Sequence, residues 1–532
     1  MTYHETVTRW GFGAMLLGLG IGFYITYITI PPAEDAIMLF DYSRNLATRG
    51  VITYGTGSPV PVEGATDFLY MILIAVASKL GLSEFAAALL LNYLAILLIC
   101  YLFWRISQSY FLPLIAVLAT PFLYATLLGF SAILFSAFYL LSLYLTLRDD
   151  RRLYLSILCV CLLRPDGVVW SAGLLATRFI KLEKPQLAAE VRYLVMWLIA
   201  PGIAYFAWRL WYFGEWLPLP FIVKSSGERY LSATAAYLLP ILIPAVTVVM
   251  CSKEKLGLIR NLMLLFALPV VFYGSLRLEQ NFGDRFLAPM FFGVLMLLMS
   301  QNSQAAARLF IFLTVCLTWQ LTDAVFGEVH YSKNYTARPI ALELQELPRG
   351  KLLSTEAGVL AYYSQWAADD SWGLNTPRYA HHLITPSDVA QGSYDLIVAH
   401  CDINLLATMT QFDQGNSSTR TWVHQCEALA AFLHSSGYGI FLVPTLEDQG
   451  STLDYSFVGP KITCVPHLIY AVSPAYVANT QAKSILRDFG AVEYDSSAGT
   501  YVGGDVCQMA ANAGQLSRLH PIKYDPAIRN GA

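Results

Sequence analysis

The sequence predicts a polytopic α-helical membrane protein of about eleven helices with a C-terminal α/β domain outside the bilayer. Three observations carry this. The 532-residue chain is 56% hydrophobic and only 13% charged, with a positive mean hydropathy, too apolar for a soluble protein of this size. Uncharged or nearly uncharged runs recur up to about residue 325. Beyond it the hydropathy stops, and short β-like runs (395–400, 440–444) alternate with an amphipathic helical stretch near 421–434. We therefore divide the chain into a membrane domain, 1–325, and an α/β domain, 326–532, of ordinary domain size. The net charge of −3 leaves no footprint for nucleic acid.

In chain order, the apolar runs lie at 11–30, 67–82, 84–104, 110–128, 130–147, 153–163, 167–179, 193–213, 229–251, 258–275, 285–300 and 307–323. The first is long enough to span, and no small-residue cleavage site follows it, so it is expected to stay as an anchor. Cations mark one set of connections: Arg105; Arg148, Arg151 and Arg152; Arg178, Lys181, Lys184 and Arg192; Lys253, Lys255 and Arg260; and Arg308. These belong in the cytoplasm. They fall on one side only if one early run does not cross. The short run 67–82 is that run, a re-entrant or interfacial helix. Runs 153–163 and 167–179 are too short to cross about 30 Å each and are expected to form a bent pair. The N-terminus is then expected in the cytoplasm and the α/β domain outside the bilayer.

This orientation gathers charges of both signs at the outer end. The stretch PPAEDAIMLFDYSRNLATRGVITYGTGSPVPVEG, residues 31–64, follows the first span, which Pro31 and Pro32 end. Residues 35–48 read as a helix with Asp35, Leu39 and Tyr42 on one face and Glu34, Asp41, Asn45 and Thr48 on another. Glu63 and Asp67 follow. Loop 214–228 adds Glu215, Trp216 and Lys224, loop 276–285 adds Arg277, Asp284 and Arg285, and RPDG at 164–167 adds Arg164 and Asp166. Ionisable residues at a membrane edge default to functional hypotheses. Each has a plainer role: Asp35 as a helix N-cap, Arg44 as the partner of Asp41, Asp166 as a cap, and Arg164, Lys224 and Arg285 as headgroup anchors.

Cysteines divide by compartment. Cys100, Cys159, Cys161, Cys251 and Cys316 lie in or beside apolar runs and read as small core residues. Cys401, Cys426, Cys464 and Cys507 lie in the α/β domain, where an even number suggests two disulfides. Three pairings are open; proximity favours Cys401 with Cys426 and Cys464 with Cys507. No CxxC or HExxH occurs, so no metal ligands are assigned.

EDAIMLFDYSRNLATRGVITYGTGSPVPVEGATDFLY, residues 34–70, resembles the first outer loop of GT-C membrane glycosyltransferases, and most closely their arabinofuranosyltransferase-like branch. Further echoes follow in order: RPDG at 164–167, YFGEWLPLPFIVK at 212–224, GDRFLAP at 283–289 and TEAGVLAYYSQWAADDSWGLN at 355–375. Two departures stand out. The first acidic position is Glu34 where the family has Asp, and GFSA at 129–132 lacks the acid of the family's G-L-E-T-like turn. The resemblance implies a GT-C-like fold in a bacterial inner membrane with the α/β domain periplasmic, and transfer of a sugar, arabinofuranose by preference, from a polyprenyl phosphate to an extracytoplasmic glycan or pilin-like protein. It implies Asp35 as the catalytic base. Around it, Glu34, Asp41, Tyr42, Arg44, Asn45, Glu63, Arg164, Asp166, Glu215, Lys224, Asp284 and Arg285 would bind donor or acceptor. Arg44, Arg164, Lys224 and Arg285 are the expected phosphate partners, Arg bidentately. No cofactor is required, though a divalent cation could assist. The alternatives are transfer of another pentose or hexose, a glycan sensor, or a glycolipid transporter, which the lack of an inverted repeat and of mid-span charges disfavours.

Overall fold

The computed structural model describes residues 3–56, 60–108, 111–224, 231–251, 255–275, 285–301, 303–318, 336–401, 417–448, 462–495 and 500–501. Helix α1 (Tyr3–Thr29) ends before Pro31-Pro32, and α2 (Glu34–Arg49) starts two residues later. Its N-cap is Ala33, which offers no side-chain cap. Asp35 is therefore inside the first turn, and its expected capping role is corrected. Helix α3 (Phe68–Lys79) has 12 residues, about 18 Å at 1.5 Å per residue, too short to cross. Then come α4 (Glu84–Ser107), α5 (Phe111–Leu118), α6 (Phe122–Leu127), α7 (Ala132–Leu147), α8 (Leu153–Leu163) and α9 (Gly167–Ile180). The run 110–128, expected as one span, is two short helices, because Thr120-Pro121 interrupts it.

The pair α8 and α9 turns at RPDG, as its shortness suggested. A Cβ on Gly167 would collide with the Val160 carbonyl, so only glycine lets α9 start against the end of α8. Helices α10 (Lys184–Leu194) and α11 (Ala200–Phe213) are joined through a π turn at Val195–Ile199. The basic segment around Lys184 and Arg192 is thus helical rather than a loop. Helices α12 (Leu219–Lys224), α13 (Leu231–Cys251), α14 (Lys255–Gly274), α15 (Ala288–Ser300) and α16 (Gln304–Thr318) complete the bundle. Among the described residues four helical stretches are long and apolar enough to cross a membrane, and seven shorter apolar helices accompany them. Together these make eleven, the expected number of spanning or near-spanning helices. Every residue of α15 from Ala288 to Met299 is buried, which puts this helix at the centre. Cys100 is buried, but Cys159 and Cys161 are half-buried and Cys316 is exposed, so the core reading of the apolar cysteines holds for Cys100 alone among these. The side chain of Cys251 and the domain boundary near residue 325 lie outside the described residues.

After α17 (Ala337–Gln345) comes a seven-stranded sheet in the order β2-β1-β3-β5-β4-β6-β7. Strands β1 (Lys351–Ser354), β2 (Ala367–Asp370) and β3 (Leu396–His400) are parallel, with Leu352 opposite Ala368 and Leu396. Strands β4 (Gly439–Asp448), β5 (Ile462–Val472), β6 (Val492–Asp495) and β7 (Thr500–Tyr501) are antiparallel. The expected strands 395–400 and 440–444 are β3 and part of β4, and the helix near 421–434 is Ser417–Ser436. Helix α18 (Val359–Ser364), between β1 and β2, packs on α2 and so joins the sheet to the membrane helices. Cys401 and Cys426 form a disulfide, the favoured pairing. The second, with Cys507, lies outside the described residues.

Candidate active site

The first turn of α2 splits two adjacent carboxylates between two environments. Successive helical residues point about 100° apart. Asp35 is half-exposed, and its Oδ2 lies 3.3 Å from Arg285 Nη2. The Arg285 guanidinium is buried, 4.0 Å over the Phe130 ring and 5.1 Å from that of Phe286. Its Nη1 is buried with no hydrogen-bond partner among the described residues. Burial pulls the Arg285 pKa below its ordinary value, Asp35 acts against this, and Arg164 adds to it.

Arg164 reaches the same centre from the α8–α9 turn. Its guanidinium lies 4.6 Å from the Phe286 ring and 5.4 Å from that of Phe135. Asp166 holds it through two bonds, 3.0 Å from Nε and 3.1 Å from Nη2. The Tyr273 hydroxyl also donates to Asp166, and it accepts from Trp170 Nε1 at 3.1 Å. Asp166 occupies the N-cap position of α9 but makes no cap bond, so its predicted capping role is corrected. Asp67, before α3, accepts from Ser131 Oγ and adds a negative charge near both arginines. Phe130 is set by Asn92, a buried residue of α4 whose Nδ2 donates to the Thr126 and Phe130 carbonyls at 3.0 and 2.9 Å. Two arginines therefore flank one aromatic ring, beside a half-exposed carboxylate, at one end of the bundle.

Glu34 turns the other way. It accepts from Gly358 N–H at 2.6 Å and Val359 N–H at 3.0 Å, at the start of α18. A Cβ on Gly358 would collide with the Glu34 backbone, so glycine permits this approach. Burial, and then the nearby charge of Glu356, push the Glu34 carboxyl well above the usual carboxylate range, against those two N–H donors.

The remaining polar residues of α2 bind one another and the chain around them. Asp41 is fully buried and accepts from Arg44 at 2.6 Å, Gly55 N–H at 2.6 Å and Asn45 at 3.4 Å. Asn45 also donates to the Thr53 and Gly55 carbonyls, both at 3.0 Å. Arg44 donates to the Tyr362 carbonyl at 2.7 Å and lies 4.1 Å over that ring. The Tyr42 hydroxyl donates to Asn375 Oδ1 and accepts from Gly64 N–H, both at 3.0 Å. Asp41, Tyr42, Arg44 and Asn45 thus fasten loop 50–64 and the sheet domain to α2. Asp41, Tyr42 and Asn45 are buried and Arg44 is partly exposed, so a contact of any of them with donor or acceptor remains a proposal.

Glu63 and Glu215 are elsewhere. Glu63 pairs with Arg209 of α11 at 2.6 Å, and Arg209 Nη1 donates to the Trp216 carbonyl at 2.7 Å. Glu215 lies 3.0 Å from His381. Lys224 ends α12; its side chain and the whole of Asp284 are outside the described residues. The sequence reading assigned no role to Asp67, Phe130, Tyr273, Phe286 or Arg209. Arg209 had a signal, a single cation in an otherwise apolar run. The aromatic residues had none, since nothing in spacing separates a ring under an arginine from a ring in the core. Among the described residues no three His, Cys, Asp or Glu side chains converge on a metal site.

No protein-family model matches the chain, and no curated protein does. Among solved structures it is similar to ArnT from Cupriavidus metallidurans bound to undecaprenyl phosphate, at 12% identity and a TM-score of 0.49, over 77% of this chain and 96% of that one. It is similar also to the apo state of the same protein, at 12% identity and a TM-score of 0.48, over 76% and 96%.

Proposed function

We propose that the chain is a glycosyltransferase that moves a sugar from a polyprenyl phosphate to an acceptor hydroxyl. The observation that carries this is Arg285: a buried guanidinium with one nitrogen unpartnered among the described residues, beside Arg164 and next to a half-exposed carboxylate. A buried donor without an acceptor calls for an explanation, and a ligand phosphate oxygen supplies one. The position at the end of an apolar bundle suits a donor whose tail stays in lipid.

The chemistry follows from the residues. The acceptor oxygen attacks the anomeric carbon, the carbon–oxygen bond to phosphate breaks, and the phosphate leaves with the electron pair. Arg285 and Arg164 neutralise the charge that grows on it. Asp35, the carboxylate open to solvent here, takes the acceptor proton. In the resting state Asp35 and Arg285 occupy each other; a phosphate that engages Arg285 releases Asp35 toward the acceptor. Arabinofuranose as the sugar, and a glycan or pilin-like protein as the acceptor, rest on the loop 34–70 and its four further echoes.

The test is donor-phosphate binding by the purified full chain, read by displacement of a labelled polyprenyl phosphate. Arg285→Ala should weaken binding by about tenfold or more, since a charge-assisted bond contributes roughly 1.5 to 3 kcal/mol. Arg285→Lys should fall between, because it keeps the charge and loses the fork. Binding by Arg285→Ala equal to the parent would reduce Arg285 to a structural partner of Asp35 and remove the main support for a phosphate donor.

A further inference from the structure

The parallel part of the sheet runs in the order β2-β1-β3, so the chain leaves β1 on one side and comes back on the other. Where winding reverses, the loops beyond the strand carboxyl ends part, and open α/β sheets bind ligands in the crevice so formed. In this protein that point lies between β1, which runs on into Thr355 and Glu356, and β3, which ends at His400. The two ends are tied together. His400 N–H donates to Thr355 Oγ1 at 2.7 Å, and His400 Nδ1 lies 2.9 Å from Glu356 Oε1. Neither side chain is sealed: the imidazole is 38% exposed and the carboxylate 16%.

The same edge meets the candidate active site. Gly358, two residues beyond Glu356, donates to Glu34, and Glu34 is the chain neighbour of Asp35. The first turn of α2 therefore separates two places. Asp35 faces Arg285, and Glu34 faces the carboxyl ends of β1 and β3. On β5, next to β3, Tyr470 is fully buried with its hydroxyl unpartnered among the described residues. Tyr470 stands opposite Val398, two residues before His400, so its side chain lies on the His400 face of the sheet. A buried hydroxyl without a partner is uncommon in a folded protein.

We infer that this edge is a binding site for the neutral, hydroxyl-rich end of a sugar chain, held by Glu356, His400 and the Tyr470 hydroxyl. Carboxyl groups and an imidazole accept from and donate to vicinal hydroxyls, and the three groups include no arginine or lysine to pair with a phosphate. The site sits where an acceptor hydroxyl could be passed along α2 from Glu34 to Asp35. Its assignment as the acceptor site rests on the transferase reading; the binding of sugar does not.

The experiment is saturation-transfer NMR on the full chain in detergent micelles, with a linear arabinofuranose tetrasaccharide as probe and maltotetraose as a second arm. Binding of at least one at about millimolar affinity is expected. Glu356→Gln and Tyr470→Phe should each weaken it by roughly fivefold to tenfold. Tyr470→Phe is the sharper variant: if no ligand uses the hydroxyl, removing an unpartnered buried group leaves binding untouched and melting at or above that of the parent. Failure of both sugars to bind overturns the site, as does equal affinity in the parent and both variants. If the transferase reading alone is wrong, no sugar moves in the parent, yet the probe still binds and still responds to both substitutions. That outcome keeps the site and removes the reaction.

Discussion

The neighbours Glu34 and Asp35 show how one helical step assigns two identical functional groups to different work. Glu34 is partly buried and accepts two backbone N–H bonds from the sheet domain; Asp35 is half-exposed and meets only Arg285 among the contacts described. A residue that must release a partner to take up a proton cannot be locked by backbone donors. Asp35→Asn tests this. Asn matches Asp in size and keeps an oxygen for Arg285 Nη2, and because Ala33 is the N-cap, no cap is disturbed. The variant should fold and bind donor phosphate, with sugar transfer roughly 10²- to 10⁴-fold slower. Turnover near the parental rate, measured with saturating donor lipid, would take the base away from Asp35. The sequence supplied Asp35, Arg164 and Arg285 as candidates because charge is conspicuous in an apolar chain. It supplied Asp41, Tyr42 and Asn45 on the same ground, and the structure buries all three against Thr53, Gly55, Gly64 and Asn375. Polarity on a helix does not tell a residue that faces a substrate from one that faces a loop returning from ten residues away. Only the fold of loop 50–64 over α2 decides that.

At the scale of elements, α2 is held by the sheet domain from one side, and the joint contains a titrating group. Asp370, at the end of β2, accepts from Trp372 N–H at 2.9 Å and from Asn375 N–H and Nδ2, both at 3.0 Å; Asn375 in turn receives the Tyr42 hydroxyl. Burial raises the Asp370 carboxyl to about 6, against those donors. The folded protein therefore keeps this proton in a range where the unfolded chain, with an ordinary value near 4, has lost it. Stability from this group is complete below about pH 4, declines as pH rises, and is lost above about 6. The integrated effect is of the order of 3 kcal/mol. Melting temperatures of the parent from pH 4 to 7 should include this fall, and Asp370→Asn, which cannot ionise, should show a shallower one. Equal slopes would mean that Asp370 keeps an ordinary carboxylate in the fold. Element boundaries were legible where proline or length dictated them, as at Pro31-Pro32 and α3. They were not legible at Thr120-Pro121, where the second proline of a nineteen-residue apolar run (Pro113 is the first) reads equally as a kink within a span or as a break between helices.

For the whole molecule, the geometry separates a charged site from a basic far end, and three helices measure the gap. Helix α4 starts at Glu84, which accepts from the Tyr362 hydroxyl of the sheet domain at 2.7 Å, and it runs to Arg105. Helix α9 starts at the RPDG turn beneath Arg285 and carries Arg178 in its last turn. Helix α14 places Tyr273 on Asp166 at one end and Lys255 at the other, some 25 Å away at 1.5 Å per residue. Ion pairs then close the far end. Arg178 holds Asp149 and Glu190, each at 2.7 Å, and Arg151 reaches Glu190 at 3.1 Å. The turn 148–152, the end of α9 and Glu190 of α10 thus share one side, opposite α2 and the sheet domain. Lys and Arg concentrate on cytoplasmic ends, so the site and the sheet domain should face out. Single cysteines at 150, 256 and 220, in a background with the free cysteines replaced, report this in intact cells through a membrane-impermeant thiol reagent. Those at 150 and 256 should stay unlabelled until the membrane is opened, and the one at 220 should label at once. Labelling at 150 with protection at 220 would turn the molecule over. The lipid donor would then have to be offered from the cytoplasm, and an acceptor outside the cell membrane could not reach Asp35.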